Sequence, residues 1–287
     1  MGFRGYYEMA SVARMDNGKY ECLLFDMDDT LYPMSIGLNY ACRMNIQEYM
    51  LHHLKIEASE VPRMCLDLYK EYGTTMAGLK ALGYEFDDDE FHAFVHGRLP
   101  YERLRPDPVL RNLLLSMPQR KFIFTNADKA HADQVLHRLG LEDCFEGIIC
   151  FETLNPPFEA SDSQDEEIYK CLPSNLEEIE YGSFTDALPK SQILCKPSVE
   201  AIEAAIQITN TDPKKTIFFD DSVRNIASGK AAGLHTVIVG SSELVAGADL
   251  ALESIHNMKE AFPEIWEDED QMEQVVQPAP VETVVLA

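Results

Sequence analysis

The chain has 287 residues, 46% of them apolar, with 24 Lys and Arg against 49 Asp and Glu and a formal charge of −25. This is enough apolar material for one large globular unit, or a core with an inserted subdomain, and it argues against wholesale disorder. The acidic excess excludes nucleic acid and anionic membrane as broad-surface partners, because both require clustered Lys and Arg, and no run approaches the roughly 18 apolar residues of a membrane span. Seven cysteines without a C-x-x-C pair suit a reducing compartment, so the expected location is the cytoplasm, with the nucleus also open to it.

Residues 1–19 are aperiodic and read as a leader. Short apolar runs at 21–26, 121–125, 147–151, 216–220 and 236–239 read as buried strands. Helices are expected between them: from Pro108 behind an Asp107 cap, from Asp128 to Gly140, from Ser198 to Ile208 and from Ser222 to Gly233. This alternation predicts an α/β, Rossmann-like parallel sheet core, formed by residues 20–33 and 106–240, with ligands held beyond the carboxyl ends of the strands. Residues 34–105 break the rhythm. Helical patterns at 36–53, 61–72, 75–82 and 90–96, with Gly73, Gly83 and Gly97 as stops, predict a small α-helical cap inserted after the first strand. Residues 155–190 hold nine acids against two lysines with no period of 2 or 3.6, and read as an acidic surface loop. The remaining C-terminal segment, 241–287, ends in an acidic tail expected to be disordered from about residue 264.

The string Asp26-Met27-Asp28-Asp29-Thr30 closes the first apolar run, and in extended chain Asp26 and Asp28 project to one side. Alone it equally describes a strand ending in a solvated turn. Three more fragments fall at strand ends or helix starts: Thr125-Asn126, Lys196 before Pro197-Ser198, and Asp220-Asp221. Together, in this order, they resemble the four motifs of the haloacid dehalogenase-like hydrolase superfamily, over roughly residues 20–240. Phe25 to Pro33, His96-Gly97-Arg98-Leu99-Pro100-Tyr101, Cys195-Lys196-Pro197-Ser198 and Phe219-Asp220-Asp221-Ser222 further resemble its pyrimidine 5′-nucleotidase group.

The resemblance implies a phosphomonoester hydrolase working through an aspartyl-phosphate, with UMP or CMP as substrate, and the residue chemistry agrees. Asp26 is placed as nucleophile and Asp28 as general acid and then base. Lys196, Thr125 and Asn126 are placed to bind phosphate. Several acids beside a phosphate dianion require a cation. Mg²⁺, a hard ion, fits Asp26, Asp221 and the Asp28 carbonyl with Asp220 close by, and Asn225 would brace the metal-binding acid. His96 and Arg98 are candidates for reading the substrate, or equally for packing the hinge. His92 and His96, four apart on a helix, lack an evident third zinc ligand. The expected partner is a small phosphorylated metabolite, with no nucleic acid and no membrane.

Other monoesters stay open: a sugar phosphate, phosphoglycolate, a lysophospholipid or a vitamin phosphate. Phosphomutases keep the same catalytic set, whereas haloalkanoate dehalogenases need no acid at position 28. A non-catalytic binding protein on the same scaffold would be expected to have lost Asp26, Asp28 or Lys196, and all three are present.

Overall fold

The computed structural model describes residues 19–156 and 189–266. The leader up to residue 18, nearly all of the acidic loop and the acidic tail lie outside the described residues. The strand β1, Cys22–Phe25, is buried at every position, as a strand covered on both faces must be. It pairs in parallel with β2 (Arg120–Phe124) on one side and β4 (Thr216–Asp220) on the other. With β3 (Gly147–Ile149), β5 (His235–Val239) and β6 (Leu250–Leu252) they form a six-stranded sheet in the order β3-β2-β1-β4-β5-β6, every pair parallel. The sheet order reverses direction at β1 and β4, so the crevice at their carboxyl ends is where a ligand site is expected. β6 was not anticipated: three residues carry too short a pattern to distinguish from a turn.

Between β1 and β2 lie α1 (Leu38–His52), α2 (Val61–Tyr72), α3 (Thr75–Ala81), α4 (Asp88–Val95) and α5 (Pro108–Ser116). Side-chain caps set several starts: Thr74 accepts from the Ala77 amide at 3.1 Å, Asp87 from Glu90 at 2.8 Å and Asp107 from Leu110 at 2.9 Å. The Asp87 cap begins α4 two residues before the apolar period does. Beyond β2 come α6 (Lys129–Leu139), the single turn α7 (Phe151–Leu154), α8 (Val199–Thr209), α9 (Val223–Ala231) and α10 (Met258–Ala261).

Three apolar clusters result. Leu23, Phe25, Ile123 and Phe219 face α5, α6 and the C-terminal segment through Leu110, Val135 and Met258. Leu24, Phe124 and Phe218 face α8 through Ala201, Ile202 and Ala205. The helices α1–α4 form the third cluster, centred on Tyr49, Met50, Leu79 and Phe91, against which Phe86 and Phe94 also pack. The six described cysteines are free thiols, and among the described residues no helix is long and apolar enough to cross a membrane.

The α1–α4 group touches the sheet domain directly over the strand ends. Arg224 at the start of α9 donates to the carbonyls of Tyr69 and Lys70 at 3.1 and 2.6 Å, and Cys195 donates its thiol to the Tyr72 carbonyl. Gly73 makes this approach possible. Its φ of +88° is left-handed, and a Cβ there would sit 2.3 Å from the Lys196 carbonyl oxygen and 2.7 Å from Pro197 Cδ. Gly73→Ala is therefore expected to destabilise the fold by at least about 1 kcal/mol. A urea titration would show this as a lower midpoint at unchanged slope; a midpoint equal to that of the unmodified chain would mean the contact is soft.

Candidate active site

Asp26 follows β1 directly, and its amide continues the ladder by donating to the Phe219 carbonyl at 2.8 Å. Its side chain is therefore presented at the carboxyl edge of the sheet. Both carboxylate oxygens are held: Oδ1 accepts from Lys196 Nζ at 2.7 Å and Oδ2 from the Thr30 hydroxyl at 2.9 Å. Thr30 can reach back because the chain turns sharply after Asp28, with Asp29 at φ +60° and the Leu31 amide bonded to the Met27 carbonyl.

Lys196 is 1% exposed and lies between the rings of Phe124 and Phe218. Its ammonium donates to Asp26, to Asp220 at 2.8 Å and to the Phe124 carbonyl at 2.7 Å, so three donors meet three acceptors. Burial opposes its charge, but the two carboxylates prevail and raise its pKa. The backbone of Lys196 is clasped by the Asn126 side chain, which accepts from its amide at 2.8 Å and donates to its carbonyl at 2.9 Å. The Asn126 side chain is thereby committed to holding Lys196, so a phosphate contact from this residue would come from its main-chain N–H. Thr125, at the end of β2, is buried, and its hydroxyl accepts from the Ala127 amide at 3.1 Å.

Asp220, fully buried, accepts from Lys196, from the Ser222 amide and from Asn225, whose Nδ2 lies 2.9 and 3.0 Å from the two oxygens. Asn225 thus braces Asp220 rather than Asp221, because the first turn of α9 points it back to the strand end. Asp221 has no hydrogen-bond partner among the described residues. Asp26, Asp220 and Asp221 each offer an oxygen within 4.8 Å of the others. This all-carboxylate set suits a hard divalent cation. Burial, together with Asp220 and Asp28, pushes Asp26 up to about 7 against the pull of Lys196. Burial and the charges of Asp26 and Asp220 push Asp221 up to about 8. One ammonium among three acids leaves negative charge in excess, which a cation would offset.

Asp28 is not part of this cluster. Its carboxylate contacts His131 Nε2 at 2.9 and 3.1 Å and accepts from the Tyr32 hydroxyl. Burial would raise its pKa, but His131 and Tyr32 hold it below the usual carboxylate range; His131 is in turn raised by Asp28 against its own burial. His131 Nδ1 is hydrogen-bonded to the Tyr101 hydroxyl at 2.7 Å. The His96 ring stacks on His131 at 4.6 Å and pairs through Nδ1 with Asp128, and His92 stacks on His96 at 5.6 Å. Among the described residues neither His92 nor His96 joins a metal-ligand cluster.

A cavity of about 400 Å³ lies between α1–α4 and the strand ends, reaching Asp28 and Asp221. Its walls are mostly apolar, with Leu38, Ile46, Met76, Phe91, Val95 and Phe151 among them, while Asn39, Arg43 and Thr74 supply polar groups. His96 lines it. Arg98 does not, which corrects its assignment as a substrate contact: it is exposed, stacks on Phe94 and pairs with Glu48 at 2.8 Å on the outer face. The group that sequence reasoning missed is His131. Only its neighbour Asp128 stood out, as a helix cap, and nothing local indicates that the first turn of α6 faces a residue 103 positions earlier.

A family model described as haloacid dehalogenase-like hydrolase matches residues 174–239, a span holding Lys196, Asp220 and Asp221. The Saccharomyces cerevisiae protein called Phosphate metabolism protein 8 is 26% identical over 223 residues, 75% of this chain; the chain spans 60% of the length of that relative. Among solved structures, a HAD phosphatase from Thermococcus onnurineus is 15% identical, with a TM-score of 0.49 over 84% of this chain and 96% of the other. The L-2-haloacid dehalogenase of Xanthobacter autotrophicus is 11% identical, with a TM-score of 0.48 over 84% and 97%. The similarity to that family model thus lies in the last part of the sheet domain, where Lys196 and Asp220 meet at the carboxyl edge of the strands.

Proposed function

We propose that the protein is a Mg²⁺-dependent phosphomonoester hydrolase acting through an aspartyl-phosphate on Asp26. The observation that carries this reading is the fixed Asp26 carboxylate, pinned by Lys196 and Thr30 at the strand edge, with Asp28 two residues on at the wall of the cavity. An oriented carboxylate attacks phosphorus without first losing translational freedom. As the Asp26–phosphorus bond forms and the ester P–O bond breaks, Asp28 must act from its protonated form, the minority form beside His131 and Tyr32, and passes that proton to the leaving alkoxide. It then takes a proton from the water that releases phosphate and regenerates Asp26. Lys196 and the amides following Thr125 offset charge on the phosphoryl oxygens. Asp26, Asp221 and the Asp28 carbonyl would hold the Mg²⁺, whose bound charge lets a dianion enter this acidic site. Asp220, saturated by Lys196, Ser222 and Asn225, acts mainly to hold the lysine.

For the substrate we propose a pyrimidine nucleoside 5′-monophosphate, with the base in the cavity beside His96 and the polar groups of Asn39, Arg43 and Thr74. The predominance of apolar wall favours a second reading, an ester with an aliphatic leaving group of the lysophospholipid kind. Both fit these walls better than a sugar phosphate, whose hydroxyls would find few partners.

Asp26→Asn is expected to abolish Mg²⁺-dependent phosphate release, a loss of at least about 10³-fold, while Asp28→Asn loses about 10² to 10⁴-fold. A malachite-green screen over nucleoside, sugar and lipid phosphates measures selectivity. A preference of at least about 10-fold for UMP or CMP, worth about 1.4 kcal/mol, supports the nucleotidase reading, and a matching preference for the lipid ester supports the second.

The cation can also be tested without turnover. Asp26 and Asp221 have pKa values raised above the unfolded 3.8, so their contribution to stability is present below about pH 4 and is lost as pH rises through 7 to 8. In EDTA the Tm should therefore fall between about pH 6 and about pH 8.5. Mg²⁺ at about 100 times its Kd should add about 2.7 kcal/mol. It should raise Tm more at the higher pH, where it displaces fewer protons. Asp221→Asn should flatten both responses in differential scanning calorimetry; an unaltered Mg²⁺ response would remove Asp221 from the site.

A further inference from the structure

We infer that His131 is a positioning residue for Asp28, an assignment that rests on the phosphatase reading above and goes beyond its four motifs. Asp28, like Asp221, is an acid of the site that Lys196 does not hold. Its side chain is a third exposed, at the wall of the cavity, and a carboxylate so placed has several rotamers open to it. His131, itself 3% exposed, removes that freedom together with the Tyr32 hydroxyl: Nε2 meets both carboxylate oxygens, at 2.9 and 3.1 Å, where Tyr32 reaches only Oδ1.

The imidazole is itself fixed from three sides. Tyr101 is bonded to Nδ1 at 2.7 Å, His96 stacks on the ring, and the His131 amide donates at 3.3 Å to Asp128, which also pairs with His96. Tyr101 and His96 belong to the segment where the chain returns from α4 to the sheet domain, and Asp128 caps α6. Orientation of the acid is thus built from two stretches of chain, 96–101 and 128–131, both far from Asp28 in the sequence. A proton donor aimed at the ester oxygen matters only in so far as the leaving group needs a proton. The assignment therefore predicts an effect graded by leaving group.

The experiment compares kcat/KM for p-nitrophenyl phosphate, whose leaving group departs without help, and for an alkyl ester such as β-glycerophosphate. His131→Ala is expected to lower the alkyl value about 10- to 100-fold, part of the about 10² to 10⁴ that a positioned acid supplies, and the p-nitrophenyl value less than about 3-fold. His131→Gln, which keeps a donor but carries no charge, should restore most of the loss. The pair Asp28→Asn with His131→Ala should be no slower than Asp28→Asn alone. Tyr101→Phe, the milder change if His131→Ala folds poorly, should show the same grading at smaller size.

An equal loss on both esters, or a fully additive double variant, would overturn the assignment and leave His131 a packing residue. Unchanged or faster turnover in His131→Ala would also overturn it, since His131 would then hold the acid away from substrate. A chain that releases no phosphate from any ester, or an Asp26→Asn variant as active as the unmodified chain, would instead overturn the phosphatase reading itself.

Discussion

A single buried ammonium organises the strand-end site. Lys196 has no access to water, so its charge can persist only if every donor finds an oxygen. Those oxygens come from β1 through Asp26, from β2 through the Phe124 carbonyl and from β4 through Asp220. Removing one partner of such a group leaves an uncompensated buried charge, at a typical cost of about 3–5 kcal/mol. The three central strands are therefore tied at their carboxyl ends by the same contact that orients the proposed nucleophile. The Asn126 clasp on the Lys196 backbone and the bond from Asn225 to Asp220 serve this contact from β2 and α9.

The electrostatics of the two halves of the site differ for physical reasons. Asp26, Asp220 and Asp221 share one cation and remain over-supplied with negative charge, which prepares them for a divalent ion. Asp28 is paired with an imidazole and a phenol, and so is separated chemically from the acids two and more residues away. A nucleophile must keep its charge, whereas a general acid must exchange a proton. Without a cation the neighbours oppose the charge of Asp26 and favour that of Asp28, so in the proposed reaction a bound divalent ion is what keeps the nucleophile ionised, and the acid must take up its proton within the cycle.

The apolar cavity adds a third constraint. Because α1–α4 rest on the strand ends through Gly73, Arg224 and Cys195, the proposed leaving group would meet side chains such as Leu38, Met76 and Phe91 in the cavity that reaches Asp28. Selectivity then depends on how well that group replaces water against an apolar wall, and a hydroxyl without a partner there is penalised.

Local pattern in the sequence was sufficient for the strands at Cys22–Phe25, Arg120–Phe124 and Thr216–Asp220, for the caps at Asp107 and Asp128, for helix starts within a residue of Ser198 and Ser222, and for the motif residues that meet around Lys196. Each is a matter of period, cap or strand end, and those are properties of neighbouring residues. Three other features were decided by tertiary structure alone: the pairing of Asp28 with His131, the commitment of the Asn126 side chain to Lys196, and the turning of Arg98 to the outer face. These depend on which side chains from distant stretches reach the same few ångströms. Contacts across 70 or 103 positions leave no trace in any window of the chain.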